Sequence, residues 1–152
     1  MSMANSSWLL LLPAVLLIGC HGTRPSHLGV RDGKLPPCPA TPNCVSSQAT
    51  DEEHHIDPLP FSGSAADAIS RLAAIVHSFP RTAVVTRTDR YLQAEFTSFL
   101  FRFVDDVEFL ADDAAKVIHI RSASRLGTSD LGVNRKRVEE IRKRWRDASP
   151  EP

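Results

Sequence analysis

The densest run of side chains able to do chemistry is Arg121-Ser-Ala-Ser-Arg125-Leu-Gly-Thr-Ser129-Asp-Leu-Gly-Val-Asn134-Arg135-Lys-Arg137. Its pattern is that of a strand end, a Ser/Gly-rich loop and a helix start. The free N–H groups of a helix N-terminus and its partial positive charge hold anions. Guanidinium groups grip phosphate or carboxylate through paired hydrogen bonds. Arg121, Arg125, Ser129, Asn134 and Arg135 are therefore the candidate anion-binding set. A structural reading competes with it. Ser129 or Asp130 would cap the helix, Gly127 and Gly132 would supply turn geometry, and the arginines would pair with Asp105, Asp106 and Glu108. Asp130 weighs towards that second reading, because a carboxylate already fills the anion position.

The acidic residues carry an alternative. On a strand, Asp106 and Glu108 project from one face, near the roughly 5–9 Å separation of glycosidase carboxylates. Together with Arg121 and Arg125 they describe a hydrolase-like enzyme. Gly-x-Ser-x-Gly is absent and no serine stands at a recognisable spacing from a histidine, so a serine hydrolase is unsupported. No residue is assigned a catalytic role, and no cofactor motif occurs. The loop Asp51-Glu-Glu-His-His-Ile-Asp57 holds metal-ligating residue types, but such loops are usually just exposed. Cys38 and Cys44 form an even pair that an oxidising compartment would bridge. A zinc site with His54 and His55, or free thiols, are the rival readings, although Cys-x5-Cys is not a usual zinc spacing. No metal is assigned.

Cys20 sets the compartment. The apolar run Trp8–Ile18 has the length of a secretory signal core, well short of a spanning helix. It ends in Leu17-Ile18-Gly19-Cys20, the pattern of a bacterial lipobox. Residues 1–19 are expected to be a removed signal peptide, and Cys20 the lipid attachment site. A diacylglycerol plus an N-acyl chain such as palmitate makes a stable anchor, where one chain would not. Met1–Ser7 carries no Lys or Arg, so only the amino terminus charges the start of the signal. His21 follows the cysteine where an inner-membrane retention signal would place Asp. The sequence thus predicts a cell-envelope lipoprotein facing the periplasm, with the outer membrane favoured. Its partners would be the membrane through Cys20 and either an envelope protein or a small anionic ligand. The 18 basic and 18 acidic residues balance, which argues against general nucleic-acid binding.

The elements that must position these groups follow from periodicity. Residues 20–37 are Gly-, Pro- and polar-rich and are expected to form a flexible tether, averaging roughly 25 Å if unstructured. Residues 38–148 form one domain and 149–152 a disordered tail. Pro36–Pro60 is irregular and is expected to pack as a strap. A helix starts at Ser64, carries Ile69, Leu72, Ala73, Val76 and Phe79 on one face, and stops at Pro80. Strands are expected at Thr82–Thr88, Tyr91–Thr97, Val104–Ala111 and Lys116–Ser124. Phe99–Phe103 either continues a strand or turns a corner. A last helix covers Val133–Asp147, with Val138, Ile141 and Trp145 as its apolar stripe. Short connections force antiparallel neighbours. The prediction is a two-layer α+β domain in the order helix, four strands, helix.

Three segments also carry a resemblance. They are Cys38-Pro-x-x-Pro42-Asn43-Cys44-Val45-Ser46-Ser47, Phe101-x-Phe103-Val104-Asp105-Asp106-Val107-Glu108-Phe109, and Arg121-Ser-Ala-Ser-Arg125-x-Gly127-x-Ser129-Asp130-Leu131-Gly132-x-Asn134-Arg135-x-Arg137. The chain resembles domain-of-unknown-function family 1499 from about Leu35 to Arg146. The resemblance implies a single domain, often exported in bacteria, and transfers no chemistry.

Overall fold

The computed structural model describes residues 22–148. They form β1 (Cys44–Ser46), β2 (Leu59–Pro60), α1 (Ala65–His77), β3 (Thr82–Arg87), β4 (Tyr91–Thr97), β5 (Val104–Asp112), β6 (Val117–Ser124) and α2 (Val133–Asp147). The strands make one antiparallel sheet in the order β1-β6-β5-β4-β3, with β2 also paired to β6. The domain is α+β. Among the described residues no helix is long and apolar enough to cross a membrane. The apolar run Trp8–Ile18, Cys20 and the tail at 149–152 lie outside the described residues.

Four strands and a leading helix were expected; among the described residues six strands are present, and two of them precede α1. The additional strands are three and two residues long, too short for alternation to register. Pro60 sits where proline is tolerated in a sheet, on an edge strand. Both short strands line the same edge of β6, β1 against Arg121–Ala123 and β2 against Val117–Ile118.

Alternation decides the two faces. Leu92, Ala94 and Phe96 of β4, Val107, Phe109 and Ala111 of β5, and Ile118 and Ile120 of β6 are buried towards the helices. α1 meets them with Ala65, Ala68, Ile69, Leu72, Ala73 and Val76. Its start is fixed by Ser64, whose hydroxyl oxygen accepts from the Asp67 N–H at 3.1 Å while donating to the Asp67 carboxylate at 2.6 Å. Ser64 caps the helix as expected, but the Asp67 carboxylate takes the Ser64 hydroxyl and not the backbone N–H that a full capping box uses. α2 contributes Val138, Ile141 and Trp145. The Trp145 indole N–H donates to the Pro60 carbonyl at 2.9 Å, and the Arg71 guanidinium of α1 stacks 3.5 Å from its ring centroid.

The opposite face of the sheet is charged, with Glu95, Asp106, Glu108 and Arg121 on it, and residues 22–37 lie across it. Arg24 Nε donates to Glu95 at 2.8 Å, the Gly29 N–H donates to Glu108 at 2.7 Å, and Leu35 is buried with its N–H on Gln48 at 2.9 Å. The segment expected to be a flexible tether is therefore laid down on the domain from Gly22 onward. It binds through single side chains and backbone groups, which leave no periodic mark in a sequence. Cys38 and Cys44 are bridged, with their Cα atoms 5.6 Å apart. The loop so closed is short, so the expected entropic stabilisation is at the low end of about 2–4 kcal/mol.

Candidate functional site

The sheet divides the charged residues into two networks. Neighbouring side chains on a strand point to opposite faces, so Asp105 faces α2 while Asp106 and Glu108 face residues 22–37. The register Glu95–Asp106–Ala123 and Gln93–Glu108–Arg121 then sets which partners each carboxylate meets.

On the outer face, Arg125 closes a cluster. Its Nε donates to Asp106 Oδ2 and its Nη2 to Asp106 Oδ1, both at 2.7 Å, and Nη2 also reaches Glu95. Glu95 is shared with Arg24. The Asp106 hydrogen bonds raise the Arg125 pKa further above its ordinary value, against the effect of burial. Burial opposes ionisation of Glu95, but the hydrogen bonds from Arg125 and Arg24 prevail and hold its pKa low. Glu108, fully buried, accepts from the Tyr91 hydroxyl and the Gly29 N–H at 2.7 Å and, more loosely, from Arg121 Nη1 at 3.4 Å. Burial and the facing Glu108 carboxylate push the Tyr91 phenol far up, so it stays a donor.

The second network pins α2 to the sheet. Arg137 reaches Asp105 and donates to Ser122 at 3.1 Å and to Asn134 Oδ1 at 2.6 Å. Asn134 is 0% exposed. Its Nδ2 donates to the Asn43 carbonyl at 3.1 Å, Ser124 Oγ at 2.9 Å and Asp130 Oδ2 at 2.8 Å. The amide orientation is forced, since arginine can only donate and a carboxylate only accept. Asp130 also accepts from the Gly132 N–H at 3.0 Å and the Asn134 N–H at 2.7 Å. Of the two expected caps, Asp130 is thus the residue that satisfies the first turn of α2. Gly132 takes the N-cap position with φ of 77°, a conformation that favours glycine.

The five candidate anion ligands therefore do not converge. Arg121 and Arg125 lie on one face of the sheet and Asn134 on the other. Arg135 donates to the backbone carbonyls of His55 at 2.9 Å and Glu53 at 2.7 Å. Ser129 is exposed and its hydroxyl oxygen accepts from the Leu131 N–H at 3.4 Å. Asp106 and Glu108 share a face, as alternation requires, but both are buried under residues 22–37. A cleft of about 1000 Å³ opens between His27–Pro37 and Ser46–Asp51, and a second of about 570 Å³ lies beside Tyr91 and Arg90. None of Asp106, Glu108, Arg121 or Arg125 lines either cleft. Arg24, Asn43, Tyr91, Glu95 and Arg137 complete the networks without having been singled out from sequence as partners. Asn43 and Arg137 did stand inside the resemblance motifs.

Among the described residues no group of three His, Cys, Asp or Glu side chains could hold a metal. In the Asp51–Asp57 loop, the buried His54 ring bridges two acceptors instead: Nδ1 meets Asp51 Oδ1 at 2.6 Å and Nε2 meets the Thr41 carbonyl at 3.2 Å. Burial alone would lower its pKa, but the two acceptors prevail and raise it above the ordinary 6.5. Because the folded pKa is raised, His54 stabilises the fold fully below 6.5 and loses that contribution as pH rises through the folded value. NMR titration of the His54 ring protons should show a pKa above 6.5, and Asp51→Asn should bring it down. An unshifted parent titration would contradict the two-acceptor geometry.

The family model described as "Protein of unknown function (DUF1499)" matches residues 34–144. No curated protein matches the chain.

Proposed function

The chain belongs to the DUF1499 family, and from that premise we propose that it is a lipid-anchored protein of the bacterial cell envelope, a binding or structural module rather than a hydrolase. Its Cys20 carries the lipid, the domain faces the periplasm, and the outer membrane holds it. The lipobox-like Leu17-Ile18-Gly19-Cys20 supports the anchor, as does a bridged Cys38–Cys44 pair, which suits an oxidising compartment.

One observation carries the preference for a module over an enzyme. The groups that would perform acid/base chemistry are buried and spent on one another: Asp106 on Arg125, and Glu108 on Tyr91 and Gly29. A catalytic pair needs access to substrate in a pocket. Recognition of an anionic ligand or an envelope partner then falls to the exposed polar part of the Arg/Ser loop, Gly127 to Ser129, rather than to its arginines.

Cys20→Ala tests the anchor. The variant should accumulate unprocessed or leave the membrane fraction on a carbonate wash, while the parent stays. A variant cleaved to the same mature length as the parent that still resists the carbonate wash overturns the reading.

A further inference from the structure

Exposed large apolar side chains gather at one end of this domain. Phe99, Leu100, Phe101 and Phe103 sit on the β4–β5 turn, and Leu126 and Leu131 on the β6–α2 loop. Leu100 is 72%, Phe99 76% and Leu131 87% exposed. Strand register makes the two segments neighbours: Thr97 pairs with Val104, Asp105 with Ser124, and the Arg125 N–H donates to the Val104 carbonyl at 3.2 Å. The turn is built rather than loose. Ser98 N–H donates to the Phe103 carbonyl at 2.8 Å, and Phe103 N–H donates to Ser98 Oγ at 2.9 Å. Folded monomers seldom present such a cluster without a partner for it.

Two observations identify the occupant. The first is where the chain meets the domain. Gly22 packs on this same end, and a Cβ on it would meet Arg125 Cβ at 3.1 Å and Leu126 Cγ at 3.2 Å. Cys20 is two residues earlier, within roughly 7 Å of chain. Lipid attached there would enter the bilayer beside the patch. The second is charge. Arg102 is exposed at the tip, and the Arg81 guanidinium lies 5.3 Å from the Phe99 ring centroid. Aromatic and aliphatic side chains flanked by cations suit a lipid interface, with rings at acyl depth and arginines among headgroup phosphates.

We propose that this end of the domain, led by the Phe99–Phe103 turn with Leu126 and Leu131 beside it, inserts into the leaflet that holds the Cys20 lipid. The proposal rests on the lipid-anchor reading above. The domain then has a second membrane contact and a fixed orientation, and the cleft of about 1000 Å³ beside residues 27–37 is oriented with it.

The test uses the processed, lipidated protein, which begins at Cys20, in vesicles of phosphatidylethanolamine and phosphatidylglycerol. Leu100→Trp and, separately, Leu131→Trp place a reporter at the patch. The native Trp145 is buried in the core and supplies a constant background. Lipids brominated near the headgroup end of the acyl chains should remove most of the added emission and leave the parent's unchanged. Both variants should melt as the parent does, because the replaced side chains are exposed. If the added emission is indifferent to brominated lipid, docking is overturned while the Cys20→Ala fractionation still decides the anchor by itself. Emission that changes with protein density in the vesicles but not with bromination would assign the patch to a second copy instead. If Cys20→Ala is cleaved to the mature length and still stays membrane-bound after a carbonate wash, the anchor reading falls and this proposal falls with it.

Discussion

Arg125→Ala should lower the melting temperature of the domain by on the order of 10–20 °C, corresponding to about 3–5 kcal/mol. The side chain is 6% exposed and bridges Asp106 and Glu95. Truncation leaves Asp106 buried without its paired donors, and a buried charge whose partner is removed is costly. Two β-strands lose their cross-link together, since Glu95 belongs to β4 and Asp106 to β5. Calorimetry of parent and variant, with and without sulfate, is the measurement. If Arg125 instead served an open anion site, its removal would relieve repulsion and leave stability unchanged. Sulfate would then raise the parent's melting temperature only. That pair of results would overturn the structural role and put the loop's arginines forward as ligands.

Asn134 is the second position of large effect. Asn134→Ala should destabilise by on the order of 3 kcal/mol, read as a lower denaturation midpoint at unchanged m-value. The amide joins α2 to β6 and to the loop before β1 in one step, through Ser122, Ser124 and the Asn43 carbonyl. Asn134→Asp is the sharper variant. It conserves volume, but sets an acceptor, charged or protonated at a cost, against Asp130 and the Asn43 carbonyl. It should lose at least as much as alanine. An aspartate variant as stable as the parent would mean that packing, and not hydrogen bonding, fixes this junction.

Which parts of this structure a sequence discloses follows from length and period. α1, α2 and β4 show 3.6- or 2-residue patterns, β5 and β6 are apolar-containing runs of eight residues or more bounded by turns, and the bounds of all five match the expected ones closely. β1 and β2 are too short to show a pattern. Phe99, Phe101 and Phe103 alternate like a strand, although they form a turn closed by Ser98. The candidate residues were legible as residue types but not as a group. Alternation alone puts Asp106 and Glu108 on one face, yet only the register shows that Glu95 stands beside Asp106 and that Arg125 can reach both. The covering of that face by residues 22–37 left no trace, because Arg24, Gly29 and Leu35 act singly.

The sheet's two margins bear on how copies of the protein behave when concentrated. Among the described residues β4 is the only strand neighbour of β3, whose far side carries no strand. Its register with β4 shifts between Val84 and Thr86, and Arg87 ends it. The other margin, along β6, is occupied in two short pieces by β1 and β2, the latter ending in Pro60. A foreign strand adds most readily to a long, flat, unbroken border, and an irregular or charged one frustrates it. This domain offers no such border on either side. Crowding should therefore bring its copies into contact through side chains alone, without templated growth of a continuous β-structure.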